Sequence, residues 1–417
     1  MKKAIKKILP KTLIDRYHML SSFLGAMMFG FPGKKIKIIG VTGTNGKSTV
    51  VNFIAKIFKE AGFKVATSSS VSFEIGDKEE LNNLRMTMPG GFLIQKFLKK
   101  AVDEKCDYVI LEVTSEGIKQ HRHEFIDFNV AVLTNLTPEH IESHGGFENY
   151  KNAKGKLFNI TKKFHIINID DEYKDFFLQF SAQDKIVYGL NENTTSHRFI
   201  KATDIHVTTK GTKFRVNGLN FNLKVLGRFN VYNALAAISV ALSENIDLSV
   251  CQTVLDKAKG VPGRMEEVVS EPFRVIVDYA FTPNALNKVY STIKNNFQPK
   301  NMICVLGSCG GGRDKWKRPV LGGLAEKYCD KIIVTNEDPY DEDPLEIINQ
   351  VAEGAKGRAI KIIDRKEAIE KAITMAQKDD VVIITGKGCE PSICLAHGEQ
   401  ISWDDRKVAK EAYNSLE

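Results

Sequence analysis

The sequence predicts an α/β protein in two parts: a central parallel-sheet ATPase domain of the phosphate-loop type, then a Rossmann-like α/β domain. Three observations predict it. A glycine loop, Gly43-Thr44-Asn45-Gly46-Lys47-Ser48-Thr49, joins an apolar run to a helix-patterned segment. Runs rich in Val, Ile and Leu alternate with helix-length amphipathic stretches, as strands covered on both faces require. The alternation then starts afresh after the linker-like Gly260-Val261-Pro262-Gly263.

In chain order, Lys35–Val41, Lys64–Thr67, Tyr108–Val113, Val130–Leu136, His165–Ile169 and Lys185–Tyr188 read as strands of the first series. Ser48–Ala61, Phe92–Val102 and Asn149–Ile160 read as helices between them. From Phe199 to Val225 polar alternation around Lys210-Gly211-Thr212 predicts antiparallel hairpins at a sheet edge, and Asn230–Ser243 a further helix. Arg274–Asp278, Met302–Leu306, Lys331–Thr335, Ile360–Ile363 and Val381–Ile384 read as the strands of the second series. Domains are expected at 35–262 and 263–417, preceded by a short basic and apolar segment, 1–34.

In that segment Lys2, Lys3, Lys6, Lys7 and Lys11 precede an apolar run from Met19 to Phe31. The run is too short to span a bilayer and lacks a small-residue cleavage site. It reads either as a helix packed on the next domain or as an interfacial helix touching a membrane through residues 1–32. With 417 residues, more than one core is expected; 43% hydrophobic and 26% charged residues describe a globular, soluble chain. The net charge of +8 suits anionic substrates as well as nucleic acid. Seven scattered cysteines form no CxxC pair and no zinc spacing, which favours reduced thiols and a cytoplasmic location.

The chemistry gathers around the loop. Backbone amides and the helix N-terminus favour phosphate, Lys47 adds a point charge, and the Ser48 hydroxyl can reach a phosphate-bound Mg²⁺. Val41 stands where the standard pattern has its first glycine. Glu112 ends a buried strand, where a carboxylate is costly unless it binds something. His140 follows another strand end, and Lys154 lies in a helix after it. In parallel sheets, ligands gather at these carboxyl ends.

Together with Gly43–Thr49, the motifs Leu111-Glu112-Val113-Thr114-Ser115, Thr134-Asn135-Leu136, His140, Tyr150-Lys151-Asn152-Ala153-Lys154, Gly227-Arg228-Phe229-Asn230-Val231-Tyr232-Asn233-Ala234 and Pro262-Gly263-Arg264-Met265-Glu266 resemble the Mur ligase family, in its usual order. That family uses the shorter loop, which accounts for Val41. Val277-Asp278-Tyr279-Ala280-Phe281-Thr282-Pro283, Gly311-Gly312-Arg313-Asp314-Lys315-Trp316-Lys317-Arg318-Pro319, Thr335-Asn336-Glu337-Asp338-Pro339-Tyr340, Gly386-Lys387-Gly388-Cys389-Glu390 and Trp403-Asp404-Asp405-Arg406 resemble its MurE branch, which adds an amino acid to a UDP-muramoyl-dipeptide in peptidoglycan precursor synthesis.

The resemblance implies an ATP-dependent ligase working through an acyl phosphate, with no nucleic-acid partner. It implies that Lys47 and the loop residues Gly43, Thr44, Asn45, Gly46, Ser48 and Thr49 hold phosphates. Ser48 and Glu112 would hold a first Mg²⁺, and His140 and a carbamylated Lys154 a second. Asn233 and Asp278 would meet the adenosine, and Arg264 and Arg313 the nucleotide and the closure contacts. Thr87 and Ser115 would bind substrate, and Lys317, Glu337, Asp338, Tyr340 and Glu390 would lie around the incoming amino acid.

The sequence departs from that pattern in three places. Residues 1–34 are too few for the family's uridine-diphosphate-binding domain, so either UDP is held weakly by other surfaces or the acceptor lacks UDP, for instance a lipid-linked precursor. The diaminopimelate-adding enzymes carry Asp-Asn-Pro-Arg, whose arginine clamps a carboxylate; here Glu337-Asp338-Pro339-Tyr340 predicts an amino acid with a cationic far end, lysine or ornithine. Glu116, Phe281 and Cys389 stand where histidines are usual. The competing readings are a folylpolyglutamate-type ligase, whose acceptor motifs differ, and a nucleotide-binding regulator without catalysis, which would not need the metal-site residues that are all present. A lipid-amidating relative carries a cysteine zinc module absent here, and a generic phosphate-loop kinase does not explain the second domain.

Overall fold

The structure, a computed structural model, describes residues 10–416 except 83, 85 and 193–195. Lys2, Lys3, Lys6 and Lys7 lie outside the described residues. The first sheet contains β1 (Lys37–Thr42), β2 (Val65–Ser68), β3 (Ser72–Ile75), β4 (Lys78–Leu81), β5 (Tyr108–Glu112), β6 (Phe128–Leu133), β7 (Phe164–Asn168), β8 (Asp184–Gly189), β9 (Arg198–Thr208), β10 (Gly211–Val216) and β11 (Leu219–Leu223). Their order is β11-β10-β9-β8-β7-β6-β1-β5-β2-β3-β4. The run from β2 to β9 is parallel, and antiparallel hairpins close both edges.

β1 lies at the reversal of strand order, with β5 on one side and β6 on the other. Val41 is level with Glu112 and with Val132, so the chain leaves β1 into the crevice between two neighbouring strand ends. Alternate β1 residues face opposite layers. Ile39 and Val41 pack with Phe53, Ile57 and the helix Arg228–Ser243; Ile38 packs with Leu98, Leu157 and Phe158.

β12 (Glu266–Val269), β13 (Arg274–Asp278), β14 (Met302–Leu306), β15 (Lys331–Val334), β16 (Ala359–Lys361) and β17 (Val381–Thr385) build the second sheet, ordered β12-β13-β17-β14-β15-β16 and parallel except at β12. A small hairpin, β18 (Ser392–Cys394) with β19 (Gln400–Ser402), follows. Residues 258–265 connect the two sheets.

Two differences from the sequence reading have plain causes. The strand expected over Val130–Leu136 ends at Leu133, because the next residues bind the glycine loop rather than the sheet. The β3–β4 hairpin escapes that reading because its alternation is short: only Phe73 and Ile75 alternate with polar residues in β3, and β4 is exposed throughout. The N-terminal helix Lys11–Met28 packs on the helix Gly91–Asp103, with Ser22, Gly25 and Ala26 buried. Ser22 Oγ donates to His121 O (2.8 Å). A Cβ on Gly25 would stand 2.9 Å from Phe92 Cα, so the helices meet through the missing side chain. Gly25→Val is expected to cost about 1–3 kcal/mol by overpacking, seen as a lower melting temperature in circular dichroism with nucleotide binding retained.

Candidate active site

The glycine loop owes its shape to two positive-φ glycines and to the chain after β6. Gly43 (φ 148°) and Gly46 (φ 85°) occupy conformations that side chains disfavour, and a Cβ on them would meet Thr134 Oγ1 and Asn233 Oδ1 respectively. Thr44 N donates to Asn135 O (2.8 Å) and Asn45 N to Asn135 Oδ1 (3.0 Å), while Thr134 Oγ1 donates to Asn45 O (2.7 Å). Lys47 opens the helix Lys47–Glu60, and its Nζ donates to the carbonyls of Gly43 and Thr44, 3.0 Å each. The loop lines a cleft of about 500 Å³ between the two sheets' domains.

Glu112, buried at the end of β5, faces Ser48 through a residue the sequence did not single out. Ser70 N donates to Glu112 Oε1 (2.9 Å), and Ser70 Oγ lies 2.9 Å from Ser48 Oγ. Ser70 follows β2, another parallel strand ending at this crevice. One buried carboxylate beside two hydroxyls is the sparse protein donor set that Mg²⁺ uses when phosphates complete its shell. Among the described residues no three His, Cys, Asp or Glu side chains form a self-sufficient metal cage.

Lys154, on the helix Phe147–Ile160, is buried and donates to Gly43 O (2.8 Å), with its Nζ 4.7 Å from the centre of the Tyr150 ring. Burial, reinforced by the Lys47 charge, pushes its amine well below the usual lysine range. His140 (φ 56°) precedes the short helix Ile141–His144. Burial and then Arg313, Lys317, Lys154 and Lys47 depress its imidazole to about 2, so it is neutral and able to ligate a cation.

The second domain supplies the opposite wall. Arg264 stacks 4.0 Å over the Tyr279 ring. Asp278 Oδ2 accepts from Met265 N and Oδ1 from Ala280 N, 2.7 Å each, fastening the connecting segment to the end of β13. A latch then crosses between domains. Lys317 Nζ and Glu139 Oε1 form a buried ion pair at 2.9 Å. Asp314 accepts from the amides of Ile141 (3.2 Å) and Glu142 (3.1 Å), and Lys315 N donates to Glu142 Oε1 (3.0 Å). Both contacts flank His140.

Of the sequence-derived residues, Gly43–Thr49, Thr87, Glu112, Ser115, His140, Lys154, Asn233, Arg264, Asp278 and Arg313 all line this one cleft. Lys317, Glu337, Asp338, Tyr340 and Glu390 do not. Lys317 is spent on Glu139. Glu337 is buried, with Oε1 accepting from Cys309 Sγ (2.9 Å), and burial raises its carboxyl. Lys387 Nζ binds both Asp338 oxygens (2.9 Å each) and Glu390 Oε2 (2.5 Å). The acidity read from Glu337 and Asp338 is therefore reduced by Lys387, which belongs to the separate motif that carries Glu390. Tyr279 Oη, donating to Glu390 Oε1 (2.7 Å), links this cluster to the cleft wall.

Comparison with known proteins agrees with this architecture. Residues 41–241 match the Mur ligase middle domain, and residues 263–388 match the Mur ligase glutamate ligase domain. The chain belongs to the Mur ligase family. It is 40% identical over 403 residues to the UDP-N-acetylmuramoyl-L-alanyl-D-glutamate–2,6-diaminopimelate ligase of Syntrophomonas wolfei, covering 94% of this chain and 81% of that one. The ligase of the same name from Bacillus cereus is 36% identical over 418 residues, covering 97% and 83%. A solved structure of such a ligase aligns with TM-score 0.62 at 30% identity, covering 91% and 79%. Folylpolyglutamate synthase of Mycobacterium tuberculosis aligns with TM-score 0.72 at 15% identity, covering 95% of each chain, which is a likeness of fold.

For this Mur ligase the latch yields a prediction. Glu139→Gln or Lys317→Met alone leaves a buried charge unpaired and is expected to cost about 3–5 kcal/mol. The double substitution is expected to recover much of that in chemical denaturation. Additive losses would show that the pair is not coupled.

Proposed function

We propose that this Mur ligase joins an amino acid to the carboxylate of a muramoyl peptide at the expense of ATP, in the cytoplasmic synthesis of a peptidoglycan precursor. The observation that carries the reading is the meeting of the phosphate loop, Glu112, His140 and Lys154 in one cleft walled by Arg264 and Arg313. The names of the relatives support it.

In this reading the loop amides and Lys47 hold the β- and γ-phosphates of ATP. Ser48 and Glu112 would hold a first Mg²⁺, with Ser70 orienting both, and His140 and Lys154 a second. The ions would neutralise phosphate oxygens as charge accumulates. The substrate carboxylate attacks the γ-phosphorus, ADP leaves, and the acyl phosphate remains. The amine nitrogen of the amino acid then attacks the acyl carbon, loses a proton and expels phosphate. Lys47, Arg264 and Arg313 would stabilise the negative oxygens that both steps crowd together.

An ammonium cannot ligate Mg²⁺, which takes oxygen. The depressed amine of Lys154 is suited to add CO₂, forming an N–C bond and releasing a proton, to give a carbamate with two oxygens. With Asn233 and Asp278 at the interdomain end of the cleft, the adenosine would lie against the connecting segment. Tyr340 offers no guanidinium for a far carboxylate, and the three carboxyls Glu337, Asp338 and Glu390 outnumber the one lysine, Lys387, paired among them. We therefore favour lysine or ornithine over diaminopimelate as the added residue.

Three outcomes test these assignments. In a phosphate-release assay with UDP-muramoyl-dipeptide, lysine or ornithine should exceed diaminopimelate by about tenfold or more, roughly 1.4 kcal/mol; the reverse order refutes the amino-acid assignment. Lys154→Ala should lose about 10²–10³-fold in rate, the scale of one lost charge-stabilising group, with partial rescue by acetate, and ¹³C-bicarbonate should give a carbamate resonance in the unmodified protein alone. Because the folded-state amine lies below its ordinary 10.5, protonation of this amine favours the unfolded chain, and the stability the site contributes rises with pH. The buried amine thus costs stability at neutral pH. Lys154→Met should raise the melting temperature while lowering the ligation rate as Lys154→Ala does.

A further inference from the structure

The domain covers one face of the N-terminal helix Lys11–Met28 and leaves an apolar face on the other side bare. Ile14, His18, Ser22, Gly25 and Ala26 turn toward the helix Gly91–Asp103. Leu13, Tyr17, Leu20, Leu24, Met27 and Met28 recur at steps of three and four on the other side and are 43–70% exposed. Scattered exposed hydrophobics are ordinary, whereas six on one stripe mark a docking surface.

Charge identifies the occupant. Over residues 1–37 the basic residues are Lys2, Lys3, Lys6, Lys7, Lys11, Arg16, Lys34, Lys35 and Lys37, and the one acidic residue is Asp15. Lys34 and Lys35 are exposed just past the helix end. A second copy docked by the same stripe would bring two such basic segments together, which like-charge repulsion opposes. An apolar stripe flanked by lysines matches a bilayer with anionic headgroups, where side chains enter the acyl boundary and lysines meet phosphates. Among the described residues no helix is long and apolar enough to cross a membrane, so this helix would lie on the surface.

We propose that the face Leu13–Met28 docks this ligase on an anionic lipid surface. Docking would also orient the cleft. The helix abuts Gly91, where a Cβ would stand 2.8 Å from Ser22 Cβ, and Thr87 in the cleft wall is four residues away. The Thr87 end of the cleft is thus tied to the docked helix by at most about 14 Å of chain.

The test is co-sedimentation of the full chain with phosphatidylcholine vesicles, with and without about one-third phosphatidylglycerol, beside Leu20→Asp/Leu24→Asp. These residues are exposed, so the variant should keep its melting curve and its ligase rate on soluble substrates. Binding to the anionic vesicles is expected to exceed binding to neutral ones by about tenfold or more and to fall with salt; the variant should lose it. Equal partitioning into both vesicles, or an unaltered variant, overturns the proposal. So does a dimer in light scattering that the variant dissolves while no vesicle binding is seen, which would give the stripe to a second copy. The sedimentation needs no substrate, so its failure leaves the ligase reading standing.

Discussion

Two lysine side chains converge on one carbonyl, and the site depends on how that is tolerated. Lys47 and Lys154 both donate to Gly43 O, at 3.0 and 2.8 Å, inside a cleft whose walls also carry Arg264 and Arg313. Repulsion and burial act in the same direction on Lys154 and lower its amine, while Glu112 partly offsets burial for Lys47. Such a cluster is stable where one member gives up its proton or where an anion arrives. Both conditions suit a site for phosphoryl transfer, in which fixed positive charge gains strength as water is excluded.

Closure of the cleft comes from polar contacts around His140 rather than from a continuous apolar interface. Glu139 pairs with Lys317 on one side of it, and Asp314 receives the amides of Ile141 and Glu142 on the other. His140 sits between them in a left-handed conformation that a non-glycine residue rarely adopts without support. The contacts that join the second domain to the first thus also hold the chain on either side of this imidazole. The apolar part is smaller: Leu226, just before the helix Arg228–Ser243, and Phe229, in its first turn, pack with the second domain's core.

How much was legible in the sequence follows from how local each signal is. The strands around Glu112 and Lys47 could be read because strands buried on both faces must be apolar throughout. The glycine loop could be read because Gly43 and Gly46 hold conformations other residues avoid. Ser70 could not, since it sits in a serine run with no period or motif. Asp314 and Glu139 could not, since their partners lie more than 170 positions away in the chain. The acidic reading of Glu337-Asp338 was incomplete for the same reason: Lys387, some fifty residues on, neutralises part of it.

By itself, then, the sequence determined the two parallel sheets, the phosphate loop and which residues bear charge or a metal-ligating group, because backbone periodicity and side-chain chemistry are properties of short segments. The tertiary structure alone decided which of those charges remain available. Folding joined Lys317 to Glu139 and Lys387 to Asp338 and Glu390, while among the described residues Lys154 has no carboxylate as a hydrogen-bond partner. It also decided which face of the N-terminal helix would be covered, leaving most of its large apolar side chains exposed. Burial and pairing depend on what the rest of the chain brings within a few ångströms, and no local pattern encodes that.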